Sequence, residues 1–286
     1  MLNIINNSFK ILKNNLLFIQ PLLLFILILL SGISYIAGKV LPVYSQIILL
    51  ISFTLLFVAF ISGWFYINKL AVNDYNTEDT IEECTSKSIN NFKKFFEGIG
   101  ASFLKMTLTS LIILIICLIA GYGIFKFCWT FFGEPTLLYQ LPKIANAASQ
   151  AERLNLINSI PIESQITIAQ WFFTINTVAV IATFIINMYY VIVLCEKENI
   201  FKSGIRTLKF IFSNLWNCIL IILFLQLIYI VLNIISMIFG MNIIALFITI
   251  MLFTMYLNYG VILLFCFYNE KSKNNSNNRS ECVGEN

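Results

Sequence analysis

From Leu215 to Phe239 the chain runs LWNCILIILFLQLIYIVLNIISMIF, without a single charged residue. At about 1.5 Å per residue, a helix over this stretch covers the roughly 30 Å of hydrocarbon in a bilayer. No face of that helix is polar enough to meet water, so the solvent it expects is lipid.

Five further stretches repeat the pattern: Leu16–Ala37, Ile47–Leu70, Met106–Phe131, Ile168–Leu194 and Asn242–Tyr268. The composition agrees. Of 286 residues, 59% are hydrophobic and 11% charged. Soluble domains carry about 25% charged residues, and a water-facing fold could not cover this much apolar surface. The expected fold class is all-α: a polytopic membrane helix bundle of about six transmembrane helices. Residues 1–268 are read as a single transmembrane domain. The polar, Asn-rich stretch 269–286 is read as a disordered tail. The first apolar run is too long for a cleavable leader, so it is expected to be a span.

An even number of crossings puts both ends on one side, and the basic residues say which. With the N-terminus inside, the cytoplasmic set is Lys10, Lys13, Lys69, Lys87, Lys93, Lys94, Lys105, Lys197, Lys202, Arg206, Lys209, Lys271, Lys273 and Arg279. Only Lys39, Lys126, Lys143 and Arg153 fall outside. The expectation is a multi-pass protein of the cell (plasma) membrane with both termini cytoplasmic. Trp64, Trp129, Trp171 and Trp216 lie near span ends, as an interfacial aromatic belt would place them.

The cytoplasmic segments resemble one another. Phe9-Lys10-Ile11-Leu12-Lys13 precedes the first span, Ile89-Asn90-Asn91-Phe92-Lys93 the third, and Ile205-Arg206-Thr207-Leu208-Lys209 the fifth. Apolar residues recur at helical spacing in each: Ile5, Phe9, Leu12 and Leu16; Ile89, Phe92, Phe96 and Ile99; Phe201, Ile205, Leu208 and Phe212. Cationic amphipathic helices of this kind lie in the membrane plane and meet anionic headgroups with their lysines. The candidate lipid contacts are Lys10, Lys13, Lys93, Lys94, Lys202, Arg206 and Lys209. Either these are three repeats of an interfacial helix followed by a hairpin, or they are basic loops alike by composition. Gly98-Ile99-Gly100 reads as a hinge into the third span.

No Asp or Glu falls within a predicted span, which argues against proton- or sodium-coupled transport. Lys105 and Lys126 sit near span ends, where they can snorkel. The polar residues that remain inside include Asn176, Thr183 and Asn187 on one helix face and Gln226 with Asn233 on another. They suit interhelical hydrogen bonds or, alternatively, a polar groove. Any cavity is expected among the last three spans.

The acids Asp74, Glu78, Asp79, Glu82 and Glu83 read as a helix start, with Thr77 or Thr80 as cap. In the loop 132–165, Leu137, Leu141, Ile144, Ala148 and Ala151 suggest an amphipathic helix interrupted near Pro142 and ended before Pro161. There is no histidine, which removes Ser-His-Asp and HExxH chemistry. Cys84, Cys117, Cys128, Cys195, Cys218, Cys266 and Cys282 form no CxxC pair. No catalytic, cofactor-binding or metal-binding residue is expected, nor any nucleic-acid partner.

The stretch Tyr189-Tyr190-Val191-Ile192-Val193-Leu194-Cys195-Glu196-Lys197-Glu198 runs on through Asn199 to Lys209 and then to Asn214-Leu215-Trp216. A span ends in a short acidic turn, and a basic helix and a new span follow. Phe9 to Pro21 looks similar. In this the chain resembles the membrane domain of bacterial glycerophosphodiester phosphodiesterases and related stand-alone six-helix membrane proteins. The resemblance implies a membrane location and carries no active site. The expected function is non-enzymatic, tied to lipids or an envelope process. The alternative is a permease-type subunit driven by a separate ATPase partner.

Overall fold

The computed structural model describes residues 1–36, 42–135, 146, 149, 160–196, 199–239 and 243–281. Nine helices are found among them: α1 Leu2–Asn14, α2 Ile19–Ile36, α3 Val43–Asn73, α4 Ile81–Lys93, α5 Phe95–Phe132, α6 Ile162–Cys195, α7 Ile200–Ser213, α8 Leu215–Phe239 and α9 Ile243–Glu281. A single 3-10 turn, Leu16–Phe18, joins α1 to α2. No strand occurs among the described residues. The chain is an all-α polytopic bundle and a membrane protein.

Five helices are long and apolar enough to cross a bilayer by themselves: α3, α5, α6, α8 and α9. The first expected span behaves differently. It qualifies only when Leu2–Asn14 and Leu16–Gly32 are taken together, and these are bent by 78° at the break. The spans α3, α5 and α6 begin well before their expected starts. A helix does not stop where hydropathy falls, because its backbone bonds continue through polar turns. For the same reason α9 runs on to Glu281, into the polar stretch that begins near residue 269. Lys39, Lys143, Arg153, Lys197, Cys282 and most of the loop 132–165, with its candidate helix, lie outside the described residues.

The chain forms two units: Met1–Ser110 with Ile185–Asn286, and Leu111–Phe184. In the first, α9 is the axis. Val261, Ile262, Leu263, Leu264, Phe265 and Phe267 are all buried, with α1, α2, α3 and α8 packed on it. Phe65 of α3 sits edge-on to both Phe265 and Tyr190, at 6.1 and 5.6 Å between ring centroids. Phe25 of α2 stacks on Phe60 of α3 at 4.4 Å. In lipid such contacts act through close packing, since a hydrocarbon solvent adds little hydrophobic drive.

Glycine lets α3 and α5 approach. A Cβ on Gly63 would lie 2.8 Å from the Phe95 carbonyl oxygen, and one on Gly98 would lie 2.6 Å from Tyr66 Cβ. Gly98 is therefore a contact residue rather than a hinge, and the chain turns at Lys94 instead.

The second unit holds the far half of α5 and the near half of α6. Trp171 is buried there, and its indole N–H donates to the Gly133 carbonyl at 3.2 Å. Phe125 lies edge-on to it at 5.6 Å. Gly133 ends α5 with φ +81°, a conformation open to glycine. Trp64 is also interior, donating to Asn258 at 3.1 Å. Trp129 and Trp216, exposed by 42% and 79%, remain compatible with a membrane-interface belt.

Candidate functional site

Three short helices, α1, α4 and α7, each end at one non-helical residue, Asn15, Lys94 and Asn214; α5 and α8 start directly after the last two, and α2 follows Asn15 through the 3-10 turn. Asn15 and Asn214 have nearly the same backbone, with φ −125° and ψ 37° against φ −122° and ψ 29°. Each side chain donates back to the carbonyl four residues earlier, Asn15 to Ile11 at 2.9 Å and Asn214 to Phe210 at 3.0 Å. Their amides close the helix, and their carbonyls accept from Phe18 and Cys218. The asparagine thus satisfies orphan carbonyls at the turn.

Counting from these asparagines aligns α1 with α7. Eleven, seven and four residues before the break stand Ile4, Ser8 and Ile11 in one, and Ser203, Thr207 and Phe210 in the other; all six are buried. Four and seven residues after it, Ile19 and Leu22 match Cys218 and Ile221, again all buried. Ser8 and Thr207 both bond to the carbonyl four residues back. The exposed residues follow a seven-residue step: Leu2, Phe9 and Leu16 against Phe201, Leu208 and Leu215. The sequence pattern alone pairs Lys10 with Arg206. The break pairs Lys10 with Lys209, a shift of three.

The expected apolar stripe is fully exposed on α7, where Phe201, Ile205, Leu208 and Phe212 are all open. On α1 the stripe splits. Phe9 and Leu16 are exposed, but Leu12 is buried. Ile89 of α4 and Phe96 of α5 are exposed, while Phe92 of α4 and Ile99 of α5 are half-buried. Among the candidate lipid contacts, Lys10, Lys13, Lys93, Lys94, Lys202 and Lys209 are exposed. Arg206 is different: its guanidinium pairs with the Glu196 carboxylate at 2.6 Å.

Glu196 sits just past the end of α6 and gathers neighbours. The Tyr268 hydroxyl of α9 donates to its other carboxylate oxygen. Its backbone carbonyl accepts from Lys105 Nζ of α5 at 2.9 Å, and Lys105 also donates to Val193 at 2.6 Å. Lys69 Nζ of α3 donates to Leu194 at 2.7 Å. Two ammonium groups thus cap the last carbonyls of α6, where the helix dipole is negative. Lys105 does not simply snorkel; it has a specific acceptor. The hub joins residues of α3, α5, α6, α7 and α9 that all lie in the first unit. Lys69 had a visible signal, a lone charge within Ile67-Asn68-Lys69-Leu70-Ala71. Its acceptors, on a helix far away in sequence, had none.

The acidic stretch is a helix start, as expected. Thr80 and Glu83 form a capping box. Asp74 and Asp79 do more. Asp79 pairs with Lys87 at 2.6 Å, and Asp74 accepts from Asn91 at 3.1 Å. They line an open cleft of about 270 Å³ together with Asn14, Asn15 and Cys84. The hydrogen bond to Asp79 holds the Lys87 ammonium above the usual lysine range. Burial pushes the Tyr75 phenol up. This cleft is built by α1, α3 and α4, not by the last three spans. Among the described residues no group of His, Cys, Asp and Glu is arranged to hold a metal.

Of the expected intramembrane polar residues, Asn176 and Thr183 fall in the second unit and Asn187, Gln226 and Asn233 in the first. Asn176 and Thr183 are exposed, while Asn187, Gln226 and Asn233 are half-buried. Asn233 donates to the Tyr229 carbonyl of its own helix at 2.8 Å. The buried polar residues of the spans are others: Ser62, Asn68, Ser102, Thr109, Thr254 and Asn258. Asn68 donates to the Trp64 carbonyl, and Asn258 accepts from the Trp64 indole, which ties α3 to α9.

No protein-family model, no curated protein and no solved structure matches this chain.

Proposed function

We propose that the chain is a non-enzymatic, lipid-associated component of the cell membrane, with both ends in the cytoplasm and its short helices seated in the inner leaflet. The observation that carries this reading is the inverted face of α7. That helix buries Ser203 and Thr207 and presents Phe201, Ile205, Leu208 and Phe212 outward, beside the exposed Lys202 and Lys209. In water such a face would be a liability. At the boundary of headgroups and acyl chains it is the stable arrangement, with lysines toward anionic headgroups. The excess of basic residues on one side supports the orientation. The bent α1–α2 pair, taken as one span, supports the even count that the orientation needs.

Trp216, 79% exposed where α7 meets α8, is the natural reporter. With the other three tryptophans changed to Phe and the chain in lipid discs, bromine placed near the headgroups should quench Trp216 strongly. Bromine at the chain ends should quench it weakly. The reverse order would remove α7 from the interface. A stoichiometric ATPase in the same gentle preparation would turn the reading toward the permease-type subunit.

A further inference from the structure

The geometry points to a second lipid contact, away from the interfacial helices: a site for an anionic phosphate group formed by Lys69 and Lys105. Both side chains are half-buried at the ends of apolar helices. They reach adjacent carbonyls, Leu194 and Val193, so their ammonium groups lie side by side. Like charges brought together in a partly dry place call for an anion. Among the described residues neither lysine has an ion-pair partner. Among the described residues the carboxylate beside them is Glu196, already engaged by Arg206 and Tyr268.

Carbonyls supply only part of what two ammonium groups require. Each ammonium has three N–H donors. Lys69 uses one on Leu194, and Lys105 uses two on Val193 and Glu196. Three donors remain. A phosphate oxygen takes charge-assisted hydrogen bonds of this kind more strongly than a neutral group does. The site stands at the same end of the first unit as α7, so the inference rests on the lipid-associated reading. It uses none of the lysines that reading relies on, and the phosphate has two sources: a lipid headgroup or free phosphate.

The test uses the full chain in discs of phosphatidylcholine, with or without phosphatidylglycerol. Native mass spectrometry should find phosphatidylglycerol retained on the wild type. Retention should fall roughly tenfold in the Lys69→Met/Lys105→Met variant, the loss expected for charge-assisted bonds. It should persist in Lys69→Arg/Lys105→Arg and in Lys202→Gln/Lys209→Gln. Acetylation footprinting needs no variant: phosphatidylglycerol should protect Lys69 and Lys105 in the wild type. If instead inorganic phosphate alone gives this protection in pure phosphatidylcholine, the site stands and its ligand is soluble. Equal labelling under all three conditions, or equal retention by the wild type and the Met variant, overturns it. Because Trp216 quenching reports on α7 alone, failure of the interfacial reading and failure of this site are separable.

Discussion

The first and seventh helices are the same device used in two ways. Both end at an asparagine that bonds back to its own helix, and both bury the same positions counted from that residue. What fills those positions differs. In α1 they hold Ile4 and Ile11, with Leu12 beside them, pressed onto α9. In α7 they hold Ser203 and Thr207, and only Phe210 carries bulk, against Phe267 and Tyr268 at 5.3 and 5.1 Å. So α1 is held by packing, while α7 adds the Arg206–Glu196 pair and leaves its apolar side chains outward. Position relative to the break decides which face is inside; composition decides what holds it there.

The sharpest way to break the comparison is to truncate one apolar residue in each helix. Ile11 is 1% exposed and Ile205 is 58% exposed. Ile11→Ala should cost about 2–4 kcal/mol by leaving a cavity. Ile205→Ala should stay within about 0.5 kcal/mol, because an outward residue leaves none. Thermal unfolding in discs measures both. Similar losses would mean that α7 is packed like α1.

Next comes the ion pair that only α7 has. Glu196→Gln removes the carboxylate shared by Arg206 and Tyr268. The Arg206 side chain is 42% exposed, so solvent screens the pair and the loss should be modest, about 1–2 kcal/mol. Hydrogen exchange should quicken in the amides of α7 and leave those of α1 unchanged. Equal effects on both helices would place Glu196 in global stability instead of in the anchoring of α7.

The smallest effect tests the likeness itself. Asn15→Ala and Asn214→Ala each delete one side-chain bond to a helix-end carbonyl. Each should cost about 0.5–1.5 kcal/mol, with Asn15 toward the upper end because it is more buried. A silent Asn214→Ala beside a costly Asn15→Ala would dissolve the equivalence of the two breaks.

The fourth helix shows where the pattern stops. It ends at Lys94, not at asparagine, and turns Lys87 and Asn91 toward a cleft that it shares with α1 and that Asp74 and Asp79, from the connection before it, also line. The motif Ile89-Asn90-Asn91-Phe92-Lys93 made it look like the other two. What separates it is the capping box of Thr80 and Glu83 and the ion pair just beyond. Those are local features, and the acid-rich stretch did announce the helix start. The sharing of its acids with Lys87 and Asn91 depended on how the helix folds back beside α3.

Hydropathy over long windows determined the class of this protein and the place of its spans, because lipid demands a local property: some twenty apolar residues with their backbone bonds satisfied within the segment. Helical spacing likewise revealed the three short amphipathic helices. Only the tertiary structure decided which face each one buries, that the first apolar stretch belongs to a helix pair bent by 78°, and that Trp64 belongs to the core. It alone brought Lys69, Lys105, Arg206 and Tyr268 to the end of α6. Those residues are far apart in the chain, and no local pattern records a partner supplied by another helix. A half-buried ammonium seeks its acceptor through space, wherever the packing of α9 and its neighbours has put one.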